Sequence, residues 1–364
     1  MIETDNLMIE QHSRTWQPSA LCLGCVVPSL GSDMPNTIRL FVLGLMAAFA
    51  LALYLDWSAR RPPVVLLSDL RPATVVSHGE PSTRGNLLGI ETALAPADYQ
   101  APERLSRKFA HYLEQARDAG LLNSATVVVL PEHVGTGLFA VGEKPEVLHA
   151  RTLRDAMQWT ALSNPWGYLH ALWRNQARDD RRTEAVLRIK APEMAAYYQH
   201  VFGELAARFG VTLVAGSIVL PEPRLEAGRL RIGKGPLQQV SLVFDPRGEV
   251  LEPIWYKDRL SRYEGRYSAP GPLPPGTTPT AAGRLAVRLG CSGAPALTAE
   301  TPDLLAIPGA PAATEPCPVT LPAGSRMEVR TLGLPWNLLG SPRRPSRNDP
   351  RQPARLVNHW LAAP

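Results

Sequence analysis

Three side chains able to take part in covalent chemistry occupy the same kind of place in this chain, directly after a strand-like apolar run. Glu132 follows TVVVLP, Lys257 follows residues 251–256, and Cys291 follows RLAVRLG. A thiol has a reference pKa near 8.5, so one that attacks carbon at neutral pH needs a base or a cation beside it. A carboxylate and an ammonium are the residue types that supply those two things. In layered α/β folds, strand ends are where side chains converge into a site. Each residue also has an ordinary reading. A Cys after an apolar strand is commonly a small buried hydrophobe, and a lysine commonly sits at the surface. A carboxylate directly after a buried-looking strand and a proline is harder to place in solvent.

The elements that would position these residues alternate. Residues 87–91 read as a strand and 102–120 as a helix, with apolar residues at Leu105, Phe109, Tyr112 and Ala116 and Gly120 at its end. Residues 126–130, uncharged and mostly β-branched, read as a strand buried on both faces. Residues 143–192 break the rhythm with Trp159, Trp166, Trp173, Arg178, Arg181 and Arg182, and read as a partly helical insert. A helix over 193–209 ends at Gly210. Strands are expected over 211–214, 240–244, 285–289 and 304–307, and residues 245–248 read as a turn. Residues 351–361 read as a last helix. The pattern is that of an α/β layered domain.

Near the N-terminus, residues 40–55 read LFVLGLMAAFALALYL without a charge, closed by Asp56 and Trp57. The run is longer than the apolar part of a signal peptide and close to the length of a spanning helix. A transmembrane or signal-anchor helix is expected over 38–57, after a tail at 1–37 and before a connector at 58–84. Read from Met34, the chain has the layout of a signal anchor, which makes the preceding residues candidates for an overcalled start. Arg39 before the helix and Arg60 and Arg61 after it leave its orientation open; the signal-like layout favours an extracytoplasmic body.

The formal net charge of +5 is spread over scattered arginines, without the basic stripe and aromatic platforms of a nucleic-acid surface. Four cysteines are too few for a disulfide scaffold, and the pair Cys22 and Cys25 has no second pair to complete a zinc site. No His/Cys/Asp cluster has metal-ligand spacing, and His133 reads as incidental to Glu132. No Gly-rich phosphate loop follows a strand. No cofactor, metal or nucleic acid is therefore expected.

The segments VVVLPEHVGTG, GVTLVAGSIV, VSLVFDPRGEVLEPIWYKDRL and RLAVRLGCSGAP, in this order, resemble those of the nitrilase (carbon–nitrogen hydrolase) superfamily, over residues 85–310. The resemblance implies a four-layer αββα sandwich and an amide, nitrile or acyl substrate. It implies Cys291 as nucleophile and Glu132 as base. It implies Lys257 as the cation for the oxyanion, with Glu264, in SRYEGRY, orienting Lys257. Taken alone, Glu264 reads equally well as part of a solvated loop. The implied intermediate is a thioester, resolved by water or by an acceptor amine. The family's apolipoprotein N-acyltransferase branch joins this domain to several spanning helices; acyl transfer is therefore the rival expectation, and the one apolar helix seen here favours hydrolysis. Relatives often pair, so a homodimer is an expectation. Two departures stand out. The acidic residue usual two places after the nucleophile is absent from Cys291-Ser292-Gly293, and the match thins beyond residue 310. An inactive, membrane-tethered relative of the same fold is the alternative they raise.

Overall fold

In the computed structural model the chain divides into two units, residues 1–55 and 56–364. The structure describes residues 35–62, 65–174, 179–272, 276–290, 301–309, 324–336 and 353–362. Cys22, Cys25, Cys291 and Cys317 lie outside the described residues.

Helix α1 (Asn36–Ala59) contains the apolar run, and its most apolar window has a mean hydropathy of 2.2 with none of it buried. At 24 residues and a rise of about 1.5 Å each, it is long enough and apolar enough to cross a membrane.

The second unit is a mixed α/β structure. Its strands are β1 (Thr74–His78), β2 (Asn86–Glu91), β3 (Thr126–Val129), β4 (Thr212–Val214), β5 (Ile218–Pro221), β6 (Arg224–Glu226) and β7 (Arg229–Arg231). After them come β8 (Leu237–Phe244), β9 (Val250–Tyr256), β10 (Thr278–Thr280), β11 (Gly283–Val287), β12 (Leu304–Pro308), β13 (Ser325–Val329) and β14 (Arg355–Trp360). The helices are α2 (Pro102–Asp118), α3 (Pro145–His149), α4 (Leu153–Ser163), α5 (Pro165–Arg174) and α6 (Arg181–Phe209). An eight-stranded sheet runs β1-β14-β2-β3-β4-β8-β5, with β9 also on β8, and a second sheet runs β10-β11-β12-β13. β2, β3 and β4 are parallel neighbours, as are β11, β12 and β13.

Strand alternation explains the layering. Leu87, Val127 and Val129 point to one face of the large sheet, where they share a core with Leu285, Leu305 and Ile307 of the small sheet. Leu88, Ile90 and Val128 point to the other face and pack with Leu105, Phe109 and Leu113 of α2 and Phe202 and Leu205 of α6. Strands buried on both faces carry no polar side, and TVVV fits that requirement. The described residues thus form three layers: helices, large sheet, small sheet. The four-layer arrangement is not complete among the described residues.

Several elements differ from expectation. The stretch read as a connector contains β1, paired in parallel with β14. The segment expected to be a last helix is strand β14, antiparallel to β2 with Leu356 facing Ile90 and Asn358 facing Leu88. Leu356 and Asn358 are fully buried two residues apart, and insertion between two strands overrides any helical tendency in RLVNHW. The helix expected from residue 193 begins twelve residues earlier, at Arg181, and runs through Pro192. Asp180 caps its start by accepting from the Thr183 N–H, and buried Val186, Leu187, Ala191 and Met194 hold both sides of the proline. Packing therefore offsets the hydrogen bond that Pro192 removes.

Candidate active site

Glu132 sits two residues past Leu130, whose N–H donates to the Val214 carbonyl and so continues the β3–β4 pairing. The loop that follows is fastened by Ser217, between β4 and β5, and by Tyr99, ahead of α2. The Gly135 N–H donates to the Ser217 carbonyl, the His133 N–H donates to Ser217 Oγ at 2.8 Å, and the Tyr99 hydroxyl donates to the Val134 carbonyl at 2.7 Å. Gly216 (φ +65°) lies so close that a Cβ there would be 2.1 Å from the Pro131 oxygen, which leaves room for glycine alone. Lys257 is the first residue past β9, and its N–H donates to the Gln239 carbonyl of β8 at 2.9 Å. Glu264 opens a short 3-10 turn, Glu264–Arg266, and one carboxylate oxygen accepts from the Ser261 N–H at 2.8 Å.

These three loops bring the charges into contact. Lys257 Nζ donates to Glu132 Oε1 at 2.7 Å and to Glu264 at 2.7 and 2.9 Å. All three residues are buried, with Glu132 1 % and Lys257 3 % exposed. The Glu264 alternative of a solvated loop is therefore corrected: at 5 % exposure it belongs to the interior. Burial works against the Lys257 ammonium, yet the adjoining carboxylates outweigh it and hold its pKa above the usual lysine value. Burial likewise pushes the Glu264 carboxyl up, but His133 and Lys257 reverse this and hold it well below the usual carboxylate range.

Three neighbours escaped the sequence reading. His133 Nε2 lies 2.9 Å from Glu264 Oε1, so it is a partner of the site and not incidental. Its backbone is left-handed, φ +62°, a conformation that a non-glycine residue adopts rarely and at a cost. Gln239 donates through Nε2 both to Glu132 Oε1 and to Ser217 Oγ, each at 2.8 Å. No short motif marks these residues, since each contact spans more than twenty positions of chain.

One oxygen of the central carboxylate, Glu132 Oε2, is buried without a hydrogen-bond partner among the described residues. The chain then returns to this spot from the small sheet. Gly290 (φ +74°) donates its N–H to the Pro308 carbonyl, and a Cβ built on it would lie 3.0 Å from Lys257 Cε and 3.6 Å from Glu132 Oε1. Arg288, buried, donates to Asp258 at 3.1 Å and ties the end of β11 to the Lys257 loop. Gly290 is the last described residue before Cys291.

A cavity of about 170 Å³ opens over the charges, walled by Phe139, Leu153, Tyr263, Tyr267, Leu334 and Trp336. Trp336 is fixed by donating to the Val147 carbonyl at 3.0 Å and by packing on Phe139 at 5.0 Å between ring centres. Ligand atoms of Glu132, His133 and Glu264 lie within 4.8 Å of one another, a spacing that could hold a metal ion. The Lys257 ammonium already supplies a cation to both carboxylates, and a divalent ion would have to displace it.

No protein-family model matches the chain, and no curated protein does. Among solved structures, a carbon–nitrogen hydrolase from Helicobacter pylori G27 aligns over 62 % of this chain and 60 % of its own, at 16 % identity and a TM-score of 0.36. This chain thus spans less than two thirds of that hydrolase. A mutant amidase from Nesterenkonia sp. AN1, carrying an acetamide moiety covalently added at its active-site cysteine, aligns over 65 % of this chain and 70 % of its own, at 15 % identity and a TM-score of 0.36. A second mutant of that amidase, assigned to the nitrilase superfamily, aligns over 64 % of this chain and 68 % of its own, at 15 % identity and a TM-score of 0.35.

Proposed function

We propose that this protein is a membrane-anchored carbon–nitrogen hydrolase of αββα architecture that attacks an amide or nitrile carbon with Cys291. The observation that carries the reading is the buried Lys257 ammonium clasped by Glu132 and Glu264, with Gly290, the residue before Cys291, at its side. For an amide, the Cys291 thiol gives its proton to Glu132 Oε2 as sulfur bonds to the carbonyl carbon. The carbonyl oxygen becomes an oxyanion beside Lys257, where a preorganised cation stabilises the transition state more than the ground state. Collapse breaks the C–N bond, and the proton on Glu132 leaves with the amine, giving a thioester. Water, deprotonated by Glu132, then cleaves the thioester to a carboxylic acid and restores the thiol. Glu264 holds Lys257 in place and charged. The apolar cavity walls favour an uncharged acyl group. The apolar helix α1 supports the anchoring, and the signal-like layout of residues 34–55 favours an extracytoplasmic body.

The test is the alkylation rate of Cys291 against Cys317 by iodoacetamide, followed by peptide mass spectrometry in the full chain. Cys291 is expected to react faster, and Glu132→Gln to slow it by about 100-fold, the scale of losing a positioned base. Equal, slow labelling of both cysteines, indifferent to the substitution, would point instead to an inactive relative.

A further inference from the structure

The apolar side chains that the second unit leaves in water are not scattered. Among the described residues of that unit, the large exposed hydrophobics are Val65, Leu67, Val75, Leu162, Trp166, Leu169 and Trp173. Four of the seven fall within residues 162–173, and Trp166 and Trp173 are 69 % and 84 % exposed. On α5, Trp166, Leu169 and Trp173 are three and seven residues apart, so they share one face. The opposite side is packed: Ala171 is buried, and a Cβ on Gly167 would meet Ile189 of α6 at 3.5 Å. Two solvent-facing indoles beside a leucine form an apolar patch of the kind that marks a docking surface.

What covers it is indicated by the corner from which α5 starts. Residues 56–61, which follow the apolar run of α1 in the chain and belong to the second unit, are fixed on that corner. The Arg61 guanidinium donates to the Ser163 carbonyl at 2.9 Å and to Asn164 Oδ1 at 3.2 Å, and the Asn164 carbonyl accepts the Tyr168 N–H of α5. The Lys144 ammonium donates to the Trp57 and Arg60 carbonyls and lies 4.5 Å over the Trp57 ring, which packs on Trp159 at 6.3 Å. Exposed Arg181 and Arg182 follow α5 in the chain, and Arg181 donates to the Leu172 carbonyl in its last turn. Indoles with adjoining arginines are the residue types that settle at the level of lipid headgroups.

We propose that the Trp166–Leu169–Trp173 face of α5 lies on the surface of the lipid bilayer into which the apolar run of α1 inserts. The inference rests on the membrane-anchored reading given above.

The full chain is inserted into vesicles of phosphatidylcholine and phosphatidylglycerol with bromine near the headgroup end of the acyl chains. Trp166→Phe/Trp173→Phe is compared with wild type; both sites are exposed, so the fold should tolerate the change. In wild type, the bromolipid is expected to quench part of the tryptophan emission, and that part falls about two-fold in the variant, as for interfacial indoles. Protein that floats with the vesicles while both indoles are quenched by aqueous iodide and not by bromolipid overturns the inference and leaves the anchor intact. Indoles shielded from iodide yet unquenched by bromolipid also overturn it, in favour of a protein partner such as a second copy. Protein that does not float overturns the anchoring and this inference together.

Discussion

Replacing Lys257 by methionine removes the ammonium that the two buried carboxylates share, at nearly the same volume. At 2.7 Å from Glu132 and an effective dielectric of about 20, each ion pair is worth about 6 kcal/mol of attraction before desolvation. Burying the ammonium costs several kcal/mol, so the expected net loss is about 3–5 kcal/mol, the range for leaving a buried charge without its partner. With an m-value of about 3 kcal/mol/M, the urea midpoint of the full chain in mild detergent should fall by more than about 1 M. The pH dependence gives an internal check. Without Lys257, one partner that holds the Glu264 carboxyl low is gone, so its folded pKa rises and the variant loses less stability in acid than wild type. Its deficit relative to wild type should therefore shrink as pH falls from 7 towards 4. In wild type the depressed pKa of Glu264 adds stability that is present above about pH 4.3 and lost as pH falls. A midpoint within about 0.2 M of wild type, or a deficit that grows in acid, would refute the buried, doubly paired ammonium.

Two further changes probe the neighbours of that triad. His133→Asn removes a partner that holds the Glu264 carboxyl low, so the acid limb of unfolding should move to higher pH; circular dichroism against pH checks this, and an unmoved limb contradicts the assignment. Gly290→Ala places a methyl group 3.0 Å from Lys257 Cε at φ +74°. It should cost about 1–2 kcal/mol in a thermal melt, since L-residues pay about that in a left-handed conformation, and should slow Cys291 alkylation by displacing Lys257; wild-type values for both would remove Gly290 from the site.

The sequence alone determined where Glu132 and Lys257 stand along the chain. Runs such as TVVV and VLEPIWY show as strands through local composition, and the residue after a strand must sit at a sheet end. It also determined the apolar helix, whose length and lack of charge are local properties. Only the tertiary structure decided which side chains meet. The Lys257–Glu132 contact spans 125 positions and the His133–Glu264 contact 131, and such distances are set by sheet register and loop anchoring. For the same reason Glu264 looked exposed among its charged neighbours although the fold buries it. Gln239 likewise drew no reading, standing just before the strand expected over 240–244, although it bridges Glu132 and Ser217. RLVNHW read as a helix until β1 and β2 claimed both its edges. Periodicity is written within a few residues, whereas pairing between strands and burial of a charge depend on partners that arrive from elsewhere in the chain.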